Sequence, residues 1–230
     1  MLGSSLCSAA GLIYNVNYLG GGAAVTPTTN LNGVIGGGGE TWNQATGDFT
    51  DLVDSTGGPA STIDISGLSG VNNNSETVSG QPIFTGNSAI HTKGADRTIS
   101  ISQLTIGGVY DIYIYALSHN SGSWGSPTDT ERAAGAFTTT NASGNGMSQS
   151  LDNGITGTDA TTFTAGSNYV LFQSIVADGT GNISIVADAL DGANPTRLQV
   201  NGLQIVSIPE TSSAALLGLG AFALILRRRK

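Results

Sequence analysis

Short segments in which apolar and polar residues alternate, separated by turns rich in glycine and asparagine, recur throughout residues 11–207. Ile99 and Ile101 fall on one face of such a segment, and Ile63 and Ile65 do the same in another. A repeat of two is the side-chain period of a β-strand, so the pattern predicts strands rather than amphipathic helices. The predicted strands cover residues 13–19, 62–68, 98–104, 109–117, 134–140, 169–177, 181–189 and 198–207.

Composition favours the same class of fold. Of the 230 residues, 34 are glycine and only 10% are charged, against about 25% in typical soluble domains. Hydrophobic residues make up 39%, which is enough to build a core and argues against disorder. We therefore expect an all-β fold: a single antiparallel β-sandwich, jelly-roll-like, with less than about a tenth of residues 11–207 in helix.

Two of the predicted strands carry further information. The segment 109–117 is apolar on both faces, with Ile112 and Ile114 alternating with Tyr113 and Tyr115. This pattern predicts a central strand that loops cover on its outer face. In the segment 198–207 the apolar positions change parity at Gly202, which predicts a β-bulge there. The polar stretches 71–80 and 144–157 are predicted to be loops.

The charge is distributed unevenly along the chain. The formal net charge is −8, and four of the eight basic residues are the last four, Arg227, Arg228, Arg229 and Lys230. Residues 1–226 therefore hold four basic and 16 acidic side chains, a net charge of −12. Such a body repels phosphate backbones, so we exclude nucleic acid as a partner.

The C-terminal segment 208–230 has three parts: Ile208, Pro209 and Glu210, then an apolar run at 214–226, then the basic end. Thirteen helical residues span about 20 Å, less than the roughly 30 Å of a hydrocarbon core. The segment predicts a marginal transmembrane-type helix with its basic end on the cytoplasmic side. The alternative is a buried C-terminal helix of the domain, which the four consecutive cations oppose.

These three parts, in this order, resemble the PEP-CTERM sorting signal of Gram-negative bacteria. Ile208, Pro209 and Glu210 match the short motif, while Thr211 stands in place of its second proline. The resemblance implies transient anchoring in the inner membrane, recognition by an exosortase-type processing peptidase, and release to the cell surface or to extracellular polysaccharide. It covers only the last 23 residues and says nothing about the chemistry of the body.

The N-terminal residues 1–10 resemble the end of a signal peptide at Ser8, Ala9 and Ala10, but they lack a basic region and a full apolar stretch. We interpret them as a truncated signal peptide or a short leader before the domain at 11–207. The single cysteine, Cys7, excludes a disulfide framework and a cysteine-based zinc site.

The inventory of reactive side chains is poor. The two histidines, His91 and His119, lack metal-ligand spacing, and no two glutamates share a strand at a spacing of two. The chain also lacks a Gly-x-Ser-x-Gly motif. We therefore expect no enzyme activity and no cofactor, with a jelly-roll glycoside hydrolase as a minor alternative. The oxygen-rich turn at 178–182 is expected to form side-chain-to-backbone hydrogen bonds, with a structural calcium ion as its alternative role.

Two tryptophans are the candidates for sugar stacking. Trp42 is expected to fill the core, whereas Trp124 lies among serines and glycines that cannot bury it, and Tyr115 and His119 precede the same loop. Trp124, Tyr115 and His119 are thus the predicted glycan contacts. By strand pattern and composition the body resembles galactose-binding and carbohydrate-binding jelly rolls, which implies polysaccharide binding. The alternative is a structural surface or matrix protein without a ligand.

Overall fold

The computed structural model describes residues 11–19, 28–67, 81–84, 96–117, 134–140, 144, 146–152, 161–189 and 200–209. These residues form ten strands, one 3-10 turn at Pro82–Phe84 and no α-helix. The strands are β1 Ile13–Tyr18, β2 Trp42–Ala45, β3 Asp64–Ser66, β4 Arg97–Ser102, β5 Val109–Tyr115, β6 Ala134–Thr140, β7 Gly146–Asp152, β8 Tyr169–Val176, β9 Ile183–Ala189 and β10 Gly202–Ile208.

The strands form two five-stranded sheets that pack face to face. Sheet 1 has the order β2-β1-β10-β5-β8, and sheet 2 has the order β3-β4-β9-β6-β7. All neighbouring strands are antiparallel except β1 and β2. The predicted all-β class and the β-sandwich are confirmed.

The main core lies between the two sheets. Sheet 1 contributes Ile112 and Leu203, and sheet 2 contributes Ile99, Phe137 and Ile185, all with no exposed surface. Burying one such side chain stabilises the fold by about 1.5–3 kcal/mol. These residues belong to the alternating positions of the sequence pattern, so period-two alternation determines which face of each strand is buried.

All eight predicted strands are present, several of them shorter than expected. The prediction of a loop at 144–157 is wrong at its start, because β7 occupies Gly146–Asp152. Strand β2 was not predicted either. Both are edge strands in which small or polar residues occupy most positions, so their apolar alternation is weak.

The predicted bulge at Gly202 is also wrong. Strand β10 begins at Gly202 and keeps a continuous register with β5 as far as Ile208. Glycine is needed there because a Cβ atom would overlap the carbonyl oxygen of Val16 on β1. The bulge in sheet 1 lies instead in β8, where two residues between Phe172 and Ile175 oppose the single residue Asp111 of β5.

Strand β5 lies between β10 and β8, as its two apolar faces predicted. Its outer face, away from sheet 2, is covered by a second hydrophobic cluster built from loops. This cluster contains Leu31, Trp42, Ile83, Phe84, Tyr115 and Leu117, with Val34, Tyr113, Phe163 and Tyr169 packed against it. Loops therefore cover sheet 1 on the face that turns away from the core.

The chain termini of the described body meet at one end of the sandwich. Ile13 of β1 pairs with Val206 of β10, so Gly11 and Pro209 both leave from what we call the terminal end. Strand β5 starts at this end, where Val109 pairs with Ile208, and runs about 20 Å to the opposite end. The chain after Leu117 therefore continues from the end opposite to Pro209.

Among the residues described, no helix has both the length and the hydropathy that would let it span a bilayer. The predicted tail helix lies outside the described residues, which end at Pro209.

Candidate functional site

An aromatic cluster occupies the outer face of sheet 1. Tyr115 lies at its centre, with ring centroids 6.4 Å from Trp42, 6.2 Å from Phe84, 5.4 Å from Phe163 and 6.3 Å from Tyr169. The Tyr113 ring lies 6.2 Å from that of Tyr169. We call these six residues the outer aromatic cluster. Such tilted ring contacts each contribute about 0.5–1.5 kcal/mol beyond simple burial, so the cluster is a rigid support.

Tyr115 does not serve as the surface contact that the sequence predicted. Its side chain is fully buried, and its hydroxyl accepts a hydrogen bond from the Val34 amide at 2.7 Å and donates one to Gln204 Oε1. Burial raises the pKa of Tyr115 far above its usual range, with a small opposing effect from the Val34 amide. The error arose because alternation placed Tyr115 on the outer face without revealing the loop above it.

A buried polar network holds that loop in place. Gln204 Nε2 donates to Asn15 Oδ1 at 2.8 Å and to the Ile35 carbonyl at 3.0 Å, while Gln204 Oε1 accepts from the Ile35 amide at 3.3 Å. Asn15 Nδ2 in turn donates to Glu40 Oε2 at 3.2 Å and to the Thr41 carbonyl at 3.1 Å. Buried polar groups with full sets of partners specify one arrangement, so residues 33–41 are fixed over the sheet.

The glycines in this loop leave room for the Glu40 carboxylate to accept a backbone hydrogen bond. Gly36 has φ +89°, and a Cβ atom there would overlap the Glu40 carboxylate. Glu40 Oε1 accepts a hydrogen bond from the Gly37 amide at 3.0 Å. Glu40 thus tethers the glycine run rather than facing a partner carboxylate.

Beyond the loop, the outer face ends in two half-buried tyrosines. The Tyr113 and Tyr169 rings are inclined by 34°, and Leu171 lies opposite Tyr113 on the neighbouring strand. Asp111 lies two residues from Tyr113 on the same face, and its Oδ1 accepts the Ser174 amide of the β8 bulge at 2.7 Å. We call Tyr113, Tyr169, Leu171 and Asp111 the tyrosine patch.

The electrostatics of the tyrosine patch follow from partial burial. Burial raises the pKa of Tyr113, and the Asp111 carboxylate and Tyr169 raise it further. The hydroxyl therefore stays protonated at neutral pH. The patch presents two half-buried phenol groups beside the Asp111 carboxylate.

A groove lies at the terminal end of the sandwich. It encloses about 440 Å³ between Gly11, Leu12, Ile106 and Pro209, and a neighbouring depression of about 250 Å³ adjoins it at Leu12. Leu12 and Ile106 are 49% and 67% exposed, so apolar side chains on the walls of the groove face solvent.

The polar groups of this groove are already engaged. The Tyr110 hydroxyl accepts from the Thr105 amide at 3.0 Å, and Ser207 Oγ accepts from the Leu12 amide at 2.7 Å. These two hydroxyls therefore bind the local backbone at this end of the sandwich.

The remaining predicted residues have mixed outcomes. Trp42 is fully buried, as expected of a core residue, and its indole Nε1 has no hydrogen-bond partner among the described residues. Ile208 is the last residue of β10, and the exposed Pro209 follows it. Outside the described residues lie Trp124, His119, Glu210, Arg227, Arg228, Arg229 and Lys230.

The oxygen-rich turn at 178–182 behaves as predicted. Asp178 Oδ1 accepts hydrogen bonds from the amides of Thr180 and Asn182 and from the Thr180 hydroxyl, at 2.7–2.9 Å. The Asn182 amide and the Thr180 hydroxyl lower the pKa of Asp178. Within the described part of the chain, no group of three or more histidine, cysteine or acidic side chains is arranged to hold a metal ion.

Comparisons with known proteins identify no family. No family model matches this chain, and no curated protein matches it. A solved structure to which it is similar is described as the crystal structure of the plant receptor-like kinase FER, with 11% identity and a TM-score of 0.42. The match covers 87% of this chain and 43% of that chain, so this chain spans less than half the length of that protein.

Proposed function

We propose that the chain is an exported bacterial cell-surface protein whose β-sandwich binds polysaccharide without catalysis. The observation that carries this proposal is the tyrosine patch, two half-buried rings on a rigid aromatic support with Asp111 beside them. The faces of tyrosine rings suit the C–H groups of a pyranose, and phenol and carboxylate oxygens suit its hydroxyls.

The strand order supports assigning the body to the jelly-roll type. The strands β1, β10, β5 and β8 are neighbours in one sheet, and β4, β9, β6 and β7 are neighbours in the other, with β2 and β3 added at the edges. Eight strands that alternate in this way between two sheets form the two Greek keys of a jelly roll.

The binding is expected to be weak. Two stacked rings contribute roughly 1–3 kcal/mol, whereas a millimolar dissociation constant requires about 4 kcal/mol, so a single module should bind a glycan no more tightly than about the millimolar range. Many copies on one surface would retain a polymer through avidity. Export to the cell surface fits this need for avidity, because it places many copies of the protein side by side.

The C-terminal tail supplies the export part of the proposal. Sequence resemblance supports processing by an exosortase-type peptidase after transient anchoring in the inner membrane. The apolar run at 214–226 starts five residues after Pro209, which leaves the sandwich at the terminal end. The described chain reaches Leu117 at the opposite end, and residues 118–133, which include Trp124 and His119, lie outside the described residues.

Glycan arrays with the full chain in mild detergent test the binding. Tyr113→Ala is expected to weaken the best glycan about five- to tenfold, with unfolding free energy within about 1 kcal/mol of the parent. Thr138→Ala, an exposed change on the outer face of sheet 2, is the matched control. Loss of glycan binding in Trp124→Ala but not in Tyr113→Ala would assign the contact to residues 118–133 instead. An array on which no glycan is bound would favour the alternative of a structural protein without a ligand.

Replacement of Pro209 and Glu210 by alanine in cells tests the tail. The double variant is expected to remain in the membrane fraction, whereas the parent is released. Equal release of both proteins would contradict the sorting role. The soluble fraction, quantified by immunoblot after fractionation, is the measurement.

A further inference from the structure

Two apolar side chains face solvent at the terminal end of the sandwich. Leu12 is 49% exposed and Ile106 is 67% exposed, and both line the groove described above, together with Ile208 and Pro209. Every other large hydrophobic side chain among the described residues is buried or half-buried. Exposed apolar side chains that lie together around a concavity mark an interaction surface, whereas scattered single ones need no explanation.

The turn between β4 and β5 holds Ile106 in this exposed position. The Gly108 amide donates to the Thr105 carbonyl at 2.8 Å, and the Gly107 amide donates to the carbonyl of Ala177 at 3.2 Å. Gly107 has φ +71°, a conformation that favours glycine. Because these bonds fix the backbone of the turn, little conformational freedom is lost when the Ile106 side chain enters an apolar environment.

The chain leads from this groove into a long apolar segment. Pro209, which lines the groove, precedes the apolar run at 214–226 by five residues. Even a fully extended chain of five residues reaches only about 17 Å. The headgroup region on each side of a hydrocarbon core is about 5–8 Å thick. When the apolar run is inserted in a bilayer, the terminal end is therefore confined close to the headgroups.

We propose that the terminal end docks on the interface of a neutral phospholipid bilayer, with Leu12 and Ile106 inserted among the headgroups. This inference rests on the membrane anchoring proposed above and adds a second contact, which the sandwich itself makes. Two apolar side chains bind a membrane weakly from solution, but the short connection to the inserted run makes their contact intramolecular. With this end on the membrane, β5 runs away from the bilayer, and Tyr113, four residues beyond Val109, lies about 13 Å farther out.

The charge of the body favours neutral lipid over other occupants of this surface. The described residues carry ten acidic side chains and one basic side chain, Arg97, which begins β4 at the opposite end. Asp178 lies beside the terminal end, in the turn that follows Ala177. Two such bodies repel each other, and the one described cation is too far from the groove to attract anionic lipid. The docking is therefore apolar, and added salt should leave it unchanged.

Fluorescence quenching of the full chain in phosphatidylcholine nanodiscs tests the docking. In a Cys7→Ser background, one variant carries a fluorescent label at Thr105→Cys, beside Ile106. The matched control carries the same label at Thr98→Cys, another exposed threonine that lies about 20 Å away along β4. A nitroxide attached to the lipid just below the headgroups is expected to quench the Thr105 label at least about threefold more than the Thr98 label.

Each other outcome of this experiment overturns the proposal in a distinguishable way. Equal quenching at both positions in incorporated protein overturns the docking but leaves the anchoring tail in place. A chain that does not enter the nanodiscs overturns the tail assignment and this inference with it. A Thr105 label that is shielded from both the lipid nitroxide and an aqueous quencher would place protein over the groove instead of lipid.

Substitutions at Ile106 test the apolar contact itself, with the label kept at Thr105→Cys. Ile106→Asp is expected to reduce quenching by the lipid nitroxide to the level of the Thr98 label, whereas Ile106→Val, which keeps an apolar side chain, retains most of it. Because Ile106 is exposed, both variants are expected to fold, and Leu12→Asp, also at an exposed position in the groove, is an independent test. Unchanged quenching in the two acidic variants, or quenching that disappears as NaCl rises from about 50 to 500 mM, overturns the assignment.

Discussion

Replacing Gln204 by leucine removes the centre of the buried polar network while nearly preserving side-chain volume. Gln204 has no exposed surface, and its amide joins Asn15 on β1, Ile35 in the glycine loop and Tyr115 on β5. Leucine offers none of these hydrogen bonds. The variant therefore isolates the contribution of the network from that of packing.

The magnitude follows from the groups that lose their partner. Asn15 and Tyr115 are fully buried, so water cannot replace the hydrogen-bond partner that the Asn15 Oδ1 atom and the Tyr115 hydroxyl lose. Each such loss costs about 1–3 kcal/mol. The Ile35 amide and carbonyl are only partly buried, so water compensates much of their loss. Leucine recovers about 1–2 kcal/mol through its greater hydrophobicity. The expected net loss is about 2–4 kcal/mol of unfolding free energy.

Urea unfolding followed by tryptophan fluorescence measures this loss. With a slope of about 2 kcal/mol/M, the midpoint is expected to fall by roughly 1–2 M. Amide exchange should also accelerate at Val34 and Ile35, because their acceptors are lost or displaced. Gln173→Leu is the matched control: the same chemical change at an exposed position, expected to alter stability by less than about 0.5 kcal/mol.

A loss below about 1 kcal/mol for Gln204→Leu, with unchanged exchange at Ile35, would refute the reasoning. It would mean that the loop is held by packing of the outer aromatic cluster and that the hydrogen bonds contribute no net stability. A loss equal to that of Gln173→Leu would carry the same meaning.

Two further predictions concern packing and pH. Gly202→Ala is expected to lower the free energy of unfolding by about 2–3 kcal/mol, because the added methyl group overlaps the Val16 carbonyl. Gly37→Ala, with open space around it, is the control and should leave stability nearly unchanged. Equal effects of the two substitutions in thermal unfolding would contradict this prediction. Burial raises the pKa of Tyr18 and Tyr115 in the folded state, so their contribution to stability is complete below about pH 10 and falls as pH rises further. Of the six tyrosines, Tyr18 and Tyr115 should therefore stay protonated until the domain unfolds. Absorbance titration measures this, and ionisation of all six near pH 10 would contradict the prediction.

Period-two alternation was sufficient to find the central strands and the edge strands β3 and β8, but not the edge strands β2 and β7. The central strands bury one face over most of their length, so apolar residues such as Ile99 and Ile101 recur at every second position. Strand β7 alternates too, but its inward positions include Gln149 and its outward positions are glycine, serine and aspartate, so its sequence resembles that of a loop. The strength of the pattern thus depended on how many apolar side chains a strand buries.

The candidate site was predictable only in part. The aromatic character of the outer face of β5 was visible in Tyr113 and Tyr115, yet their roles were set by the glycine loop, which buries one ring and leaves the other half-exposed. Tyr169 reaches the patch through the pairing of β8 with β5. That pairing joins residues more than 50 positions apart, which a local sequence pattern does not encode.

The position of β10 determines how the sandwich responds to a pulling force. It is the last strand of the described body, yet it lies in the interior of sheet 1, bonded to β1 on one side and to β5 on the other. Tension applied at Pro209 acts along the axis of β10, perpendicular to its hydrogen bonds, and loads both ladders in shear. The bonds must then break together rather than one after another. A sandwich held by residues beyond Pro209 would thus resist extraction along its strongest mechanical direction.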